Sequence, residues 1–323
     1  MESRELYPCC QKILVDEIKI FSPATVANVS CGFDTLGFAV DSIGDEMTFT
    51  KTPKKGVEIT NITGADLTYD VDKNAASAVV KKMLIEANAD FGIVLTIHKG
   101  YSPGSGLGSS AASAAGAAFG ANQLLGNMYS KLELTKFAMF GEQVACGTPI
   151  ADNVAAAIYG GFVLVRSYEP LEIIKLPVPN KLRVVAIHPQ VEVKTKDARD
   201  VLPKEITLKD AVTQWANVGG LISGLYDNNY DLISNSLVDI IVEPHRKKLI
   251  PFFNDVKNAA IKASALGAGI SGSGPTIFAL CKGGEIAKEV YNAIEKSYRE
   301  KGIDFELFIS KINQKGIKII ESN

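Results

Sequence analysis

A chain of 323 residues can bury a large core and is long enough for two lobes rather than one. Hydrophobic residues at 46% and charged residues at 22% are ordinary for a globular protein in water. The 34 Lys plus Arg against 36 Asp plus Glu leave a formal net charge of −2, with no basic cluster to suggest a nucleic-acid or membrane-surface partner. Five cysteines (Cys9, Cys10, Cys31, Cys146, Cys281) are odd in number and lack metal-ligand spacing, so they read as reduced thiols of a cytoplasmic protein. Met1 to Lys12 has no apolar run of a signal peptide, and no window approaches a membrane span.

Residues 1–16 read as a short extension. Glu17 to Phe21 alternates Ile18 and Ile20 with polar residues, which predicts a half-buried strand running into Ser22-Pro23-Ala24-Thr25-Val26-Ala27-Asn28 and then Gly32-Phe33-Asp34-Thr35-Leu36-Gly37. Strands are predicted at 46–52 and 56–60, and Ala75, Ala78, Val79 and Met83 have helical spacing within 74–87. A strand at 93–98 leads into Pro103-Gly104-Ser105-Gly106-Leu107-Gly108-Ser109-Ser110-Ala111, and helices are predicted at 110–126 and 131–146. Thr148-Pro149 interrupts the second, a short helix begins near Asp152-Asn153, and Gly160-Gly161 opens a strand through Val165.

Tyr168-Glu169-Pro170 is the expected boundary, giving lobes at 17–169 and 170–323. Beyond it the pattern predicts a strand at 182–187 and helices near 195–201, 208–226, 229–240 and 251–265. Gly267 to Pro275 is a second glycine-rich turn, followed by a strand at 276–280, a helix at 284–300 and strands at 305–310 and 316–320. Strands mixed with helices in this order predict an α+β protein of two sandwich-like lobes.

The stretch 103–111 is the one that points to chemistry. Its three glycines allow a tight turn with no Cβ to keep the backbone from a ligand, and Ser109 and Ser110 stand where a helix leaves unpaired N–H groups. Such an end can seat a phosphate, although small residues there can also simply pack tightly and cap a helix. A Walker loop is excluded, because no lysine occurs between Lys99 and Lys131. A dinucleotide fingerprint would want glycine or alanine where Ser109 stands, and an acid about 20 residues on, whereas the next acid is Glu133.

A triphosphate held there needs Mg2+, for which Ser110 offers a hydroxyl and Glu142 a carboxylate. By spacing alone Glu142 reads as a solvated helix residue, and Asp152 as an ordinary helix cap. Alternatively Asp152 and Asn153 orient a hydroxyl for attack on phosphorus, a reaction that asks mainly for positioning and charge neutralisation. Thr195 and Arg199 share a helix face, and Arg199 with Arg246 could grip a carboxylate through paired N–H donors. By default either arginine is a surface cation.

Pro103 to Ala111 closely resembles the phosphate loop of the GHMP kinases. Ser22-Pro23-Ala24-Thr25 with Asn28 and Gly32-Phe33-Asp34 resembles their first motif, and Gly269 to Pro275 their third. The resemblance implies a two-lobed α+β GHMP kinase fold, with an ATP-binding N-terminal lobe of the ribosomal-protein-S5-domain-2-like type and a C-terminal ferredoxin-like α/β sandwich lobe. It also implies ATP wrapped by residues 103–110, Asn74 near the adenine, and Mg2+ on Ser110 and Glu142. Gly32 to Gly37, Asp152-Asn153-Val154-Ala155, Thr195 to Arg199 and Glu243-Pro244-His245-Arg246 are similar to the branch of the family that phosphorylates L-homoserine on the route to threonine. In that branch Asn28 would approach the acceptor hydroxyl, Asp34 the ammonium, and Arg199 and Arg246, with Thr195 beside them, the carboxylate. Asn153 would sit beside the reacting centre, though the resemblance leaves open whether it or Asp152 faces the hydroxyl. A homodimer is a family-level expectation. One departure stands out: the branch usually carries histidine where this chain has Ile150. A kinase for another small hydroxylated metabolite, or a non-catalytic sensor on the same fold, are therefore the competing expectations.

Overall fold

The computed structural model describes residues 16–323, so nearly all of the expected extension, with Cys9 and Cys10, lies outside the described residues. The first half of the chain forms β1 (Glu17–Ala27), β2 (Leu36–Thr52), β3 (Gly56–Thr63), α1 (Ala75–Glu86) and β4 (Gly92–His98). Helices α2 (Ser109–Leu124), α3 (Lys131–Cys146) and α4 (Asp152–Tyr159) follow, then the hairpin β5 (Phe162–Tyr168) and β6 (Leu171–Leu176). The second half comprises β7 (Leu182–Pro189), α5 (Thr195–Asp200), α6 (Leu208–Asp227), α7 (Tyr230–Ser236), α8 (Glu243–Arg246) and α9 (Phe253–Lys262). It closes with β8 (Gly267–Ile270), β9 (Ile277–Lys282), α10 (Gly284–Arg299), β10 (Phe305–Lys311) and β11 (Lys318–Ser322).

Two sheets organise these elements. The seven-stranded sheet runs β11-β1-β2-β4-β3, with β5 added beside the first residues of β2 and β6 beside β5. The four-stranded sheet runs β10-β7-β9-β8 and is antiparallel throughout. The expected boundary at 169/170 falls in the turn of the β5–β6 hairpin, so the chain leaves the first sheet only after Leu176 and returns to it through β11. Local sequence could not reveal β6, because its pairing with β5 supplies most of its reason to be extended. The first motif is also more regular than its Pro and Ser residues suggest. Thr25 to Ala27 pair with Gly37 to Ala39, so β1 carries through it as strand.

Helix ends are set by local chemistry. In α3 a capping box joins Ser130 and Glu133, and Gly147 closes the helix in the left-handed region. Thr207 caps α6 through the Asp210 N–H, and Asn228 ends it. Helix α2 is buried along most of its length, which explains its alanines: small side chains let it lie close against β1, β2, α1, α3 and α4.

Three packed regions result. Helices α1 to α4 cover one face of the long sheet around Phe49, Met83, Leu95 and Phe137. Between the two sheets, Phe38, Phe162 and Phe278 meet, with ring centroids 4.7 and 6.1 Å apart, joined by Leu221 and Leu225 of α6. Beyond the smaller sheet, α9 and α10 bury Phe253, Val290 and Tyr298. The continuous apolar layer between the sheets fixes one lobe against the other, and the cleft described next opens along that seam.

Candidate active site

Three segments far apart in sequence are tied together by hydrogen bonds. The Thr25 N–H donates to the Leu107 carbonyl at 3.0 Å, and the Ser271 hydroxyl to the Gly106 carbonyl at 2.7 Å. Thr276 Oγ1 donates to the Ser105 carbonyl at 2.6 Å, and Asn28 Nδ2 to the Gly272 carbonyl at 2.7 Å. The glycine-rich turn at 267–275 therefore buttresses the glycine loop at 103–111 rather than forming a second loop site. Two glycines have no substitute there. Gly106 (φ +82°) lies where a Cβ would stand 2.6 Å from the Gly274 carbonyl oxygen, and at Gly108 (φ +67°) a Cβ would stand 2.2 Å from Thr25 Oγ1.

This loop borders a cavity of about 400 Å³. Of the residues singled out from sequence, Asn28, Asp34, Asn74, Pro103, Gly104, Gly106, Gly108, Ser109, Ser110, Glu142, Asp152, Asn153, Thr195, Arg199 and Arg246 all line it. Ser105 and Leu107 do not. The Ser105 side chain is buried, and Leu107 packs into the layer between the sheets, so only their backbone belongs to the loop. Leu67, Thr68 and Lys73 line the cavity beside Asn74, and no motif in the sequence pointed to them. Asn74 itself is the N-cap of α1: its Oδ1 accepts from the Ala76 N–H at 3.0 Å, and its Nδ2 donates to the Thr68 carbonyl at 3.0 Å.

Below the loop lies a charged cluster that sequence reasoning missed. Lys99 and Asp45 form a fully buried ion pair. The Lys99 ammonium also donates to the Ser109 carbonyl and to Ser113 Oγ, each at 2.9 Å, while the Gly100 N–H and the Ser113 hydroxyl donate to Asp45. Burial pushes both ionisable groups toward their neutral forms, and their mutual attraction opposes it. A cation next to the positive end of α2 would be unfavourable alone; the carboxylate of Asp45 makes the assembly tolerable.

Glu142 is buried, contrary to its solvated reading, because α3 packs on α1 and α2 at this level. Burial raises its carboxyl to about 7, countered by the Ser110 hydroxyl and by Lys99. Among the described residues its Oε1 has no hydrogen-bond partner. A buried acceptor left bare beside a serine hydroxyl at a helix start is the pair of hard oxygen ligands that Mg2+ prefers. Among the described residues no group of three or more His, Cys, Asp or Glu could hold a metal unaided, so phosphate oxygens would have to complete the shell.

Asp152 is likewise buried at the start of α4 and is pushed up to about 7, chiefly by burial and then by the nearby Asp34. Its Oδ1 accepts from the Asn153 N–H at 2.7 Å, and Asn153 Oδ1 accepts from Thr25 Oγ1 at 2.7 Å. Asp34 and Arg199 form a bidentate pair, with three N–H···O contacts of 3.1 Å, rather than standing apart. Arg246 is not a surface cation. It is buried, donates through Nε to the Ala198 carbonyl and through a terminal nitrogen to the Gly272 carbonyl, and is lowered to about 10 by burial. Both guanidinium groups lie over the ring of Phe33, at 5.7 and 4.9 Å, an aromatic platform that the motif contained but spacing gave no reason to single out. Ile150 also faces the cavity, so the departure from histidine sits inside the site.

A glycine turn at a helix start, beside a buried carboxylate and an arginine-lined pocket, fits a small-molecule kinase, and the chain belongs to the GHMP kinase family. The family model described as the GHMP kinases N terminal domain matches residues 74–161, and that described as GHMP kinases C terminal matches 220–300. The crystal structure of homoserine kinase from Cytophaga hutchinsonii is 52% identical, with a TM-score of 0.92 over 98% of this chain and 100% of that one. The homoserine kinases of Chlorobium phaeovibrioides and Chlorobium phaeobacteroides (strain BS1) are 45% and 46% identical, covering 94% and 93% of this chain and 99% and 98% of their own lengths.

Proposed function

We propose that this protein transfers the terminal phosphoryl group of ATP to the side-chain hydroxyl of L-homoserine, giving O-phospho-L-homoserine, with Mg2+ as the accompanying ion. The observation that carries this reading is the composition of the cavity beside the glycine loop. One end is a glycine turn and helix N-terminus suited to phosphate, and the other gathers Asp34, Arg199 and Arg246, which suit a zwitterion. Mevalonate or a sugar would bring no cation to Asp34.

The residues divide the work as follows. Backbone N–H groups of 104–110 and the first turn of α2 meet the nucleotide phosphates, and Thr68, Lys73 and Asn74 border the nucleoside side. Ser110 and Glu142 hold the metal, which neutralises phosphate charge when bound. Arg199 and Arg246 take the amino acid's carboxylate, and Asp34, released from Arg199, takes its ammonium. Asn28 and Asn153 fix the hydroxyl. Asp152, with its carboxyl near 7, suits the acceptance of the hydroxyl proton, although positioning is the larger requirement in phosphoryl transfer.

The test is ADP release with Mg-ATP against homoserine, serine, threonine, mevalonate and galactose. Turnover is expected to favour homoserine. Preference for mevalonate or galactose would reject the amino-acid reading, and no turnover with any acceptor would favour a sensor. Ile150 motivates a second reading, in which the same reaction serves another hydroxylated amino acid, because an apolar side chain gives no hydrogen bond there.

A further inference from the structure

Three consecutive residues after β1, Asn28, Val29 and Ser30, have left-handed φ angles of 68°, 41° and 61°. None is glycine and one is β-branched, so the turn is strained and persists only because its surroundings hold it. Some of the holding contacts are direct. Val29 is buried in the layer between the sheets, the Asn28 carbonyl accepts from the Gly32 N–H at 2.8 Å, and Asn28 Oδ1 accepts from the Asp34 N–H at 3.0 Å. Asn28 Nδ2 also shares an acceptor with Arg246: both donate to the Gly272 carbonyl, at 2.7 and 2.9 Å. One of these side chains comes from the first lobe and the other from the second.

A second cavity is lined by Asn28, Arg246 and Gly272 together with Ser30, Asp239 and Glu243. Its volume is about 10 Å³, room for the centre of one water molecule. Two buried polar atoms, Ser30 Oγ and Glu243 Oε2, have no hydrogen-bond partner among the described residues. They are near each other: a Cβ at Gly269 would stand 3.5 Å from Ser30 Cβ and 3.6 Å from Glu243 Oε2. Close but not bonded to one another, they are set for a bridging water. Left bare, a hydroxyl and a carboxylate oxygen would both forfeit their hydration on folding.

The charges in the lining call for a neutral occupant. Lys257 already donates to Glu243 Oε1 at 2.5 Å, and the Arg246 guanidinium lines the cavity, so an added cation would gain little from Glu243 and be repelled by Arg246. An anion would meet the carboxylates of Glu243 and Asp239. A water can donate to Glu243 Oε2 and accept from the Ser30 hydroxyl. Each end of that bridge leads to the site. Ser30 is two residues from Asn28 in the strained turn. Glu243 opens α8, whose last residue is Arg246, and Asp239 seats this short helix by accepting from the N–H groups of Ile241, Val242 and Glu243 at 3.0, 2.9 and 2.9 Å.

We propose that Ser30 and Glu243 share one buried water, and that this bridge holds Asn28 and Arg246 in register with each other across the two lobes. Ser30 and Glu243 are then positioning residues for the amino acid, a claim that rests on the binding roles given above to Asn28 and Arg246.

A high-resolution crystal structure of the full chain is expected to show one water within about 3.2 Å of both Ser30 Oγ and Glu243 Oε2. No water there, or a direct bond between the two side chains, overturns the proposal. Ser30→Ala and Glu243→Met each remove one anchor and should each raise the homoserine KM about fivefold, with the ATP KM within about twofold of wild type. Because both act through one bridge, the double variant should be no worse than either single. Glu243→Gln, whose amide still reaches the water, should recover most of the loss. Effects that multiply in the double variant, or an ATP KM that rises equally, would show independent structural damage and refute the positioning role. If the wild type turns over no homoserine, the kinase reading falls, and the bridge stands or falls by the crystallographic water alone.

Discussion

Replacing Lys99 by Met tests the claim that the glycine loop rests on a charged floor. All three ammonium protons of Lys99 are used, by Asp45, the Ser109 carbonyl and Ser113 Oγ, and both ionised side chains are buried. The substitution leaves Asp45 without its cation, and breaking a buried pair from one side costs about 3–5 kcal/mol. Against a total stability of about 5–15 kcal/mol, that is a large fraction. Lys99→Met with Asp45→Asn removes both charges while keeping an acceptor for the Gly100 N–H, so it should recover most of the loss. Urea unfolding followed by circular dichroism reads the stabilities, and the ATP KM reads the loop, since the Ser109 carbonyl loses its anchor at the start of α2. We expect the single variant to raise that KM roughly tenfold, equivalent to losing one hydrogen bond to a charged group. A single variant within about 1 kcal/mol of wild type, or a double variant as unstable as the single, would refute the reasoning.

Arg246→Ala should raise the KM for the amino acid by about 10- to 100-fold, the worth of a charge-assisted hydrogen bond, and leave the ATP KM within a fewfold; equal rises would contradict its assignment. Glu142 and Asp152 are both raised to about 7 by burial, so in the folded protein each favours its neutral form. That contribution to stability is complete below pH 4 and is lost as pH rises from there through 7. Without nucleotide, Asp152→Asn should therefore flatten the fall in urea midpoint between pH 5 and 8, and an unchanged slope would count against the burial argument. In turnover the same residues act oppositely, so kcat/KM should climb with pH toward a plateau above about 7, and a flat profile would remove Asp152 and Glu142 from the reaction. Gly108→Ala combines a left-handed φ with a Cβ 2.2 Å from Thr25 Oγ1; it should cost at least about 1–2 kcal/mol and most of the activity, and a wild-type-like variant would show that the loop relaxes freely.

What could be read from the sequence followed from chemistry that is local. The apolar spacing within 74–87, the Ala-rich run after Ser110 and the helical pattern over 131–146 are all intrahelical patterns, and α1, α2 and α3 lie where they predict. The glycine loop was legible because its conformation is written in residue types. Lys99 and Asp45 were not, since 54 positions separate them and neither carries a mark of burial. Glu142 and Arg246 illustrate the same limit: spacing gives a helix glutamate and a basic tail to α8, and only the packing of α3 and the turn at 271–275 removes them from water. Strands β6 and β8 were missed for a related reason, since each is extended chiefly because a partner strand is there.

The return of β11 to the first sheet makes the second lobe an insertion rather than an appendage. Its two connections, after Leu176 and before Lys318, must turn together if the lobes swing, which confines any such movement to rotation about a line through both. The final residues are also not a dispensable tail. They hydrogen-bond to β1 from Ile18 to Phe21, and the Asn323 carbonyl accepts from the N–H groups of Asp16 and Glu17. Clipping six residues from the carboxyl end would strip that border and leave a bare strand edge, open to pairing with any other chain that offers one.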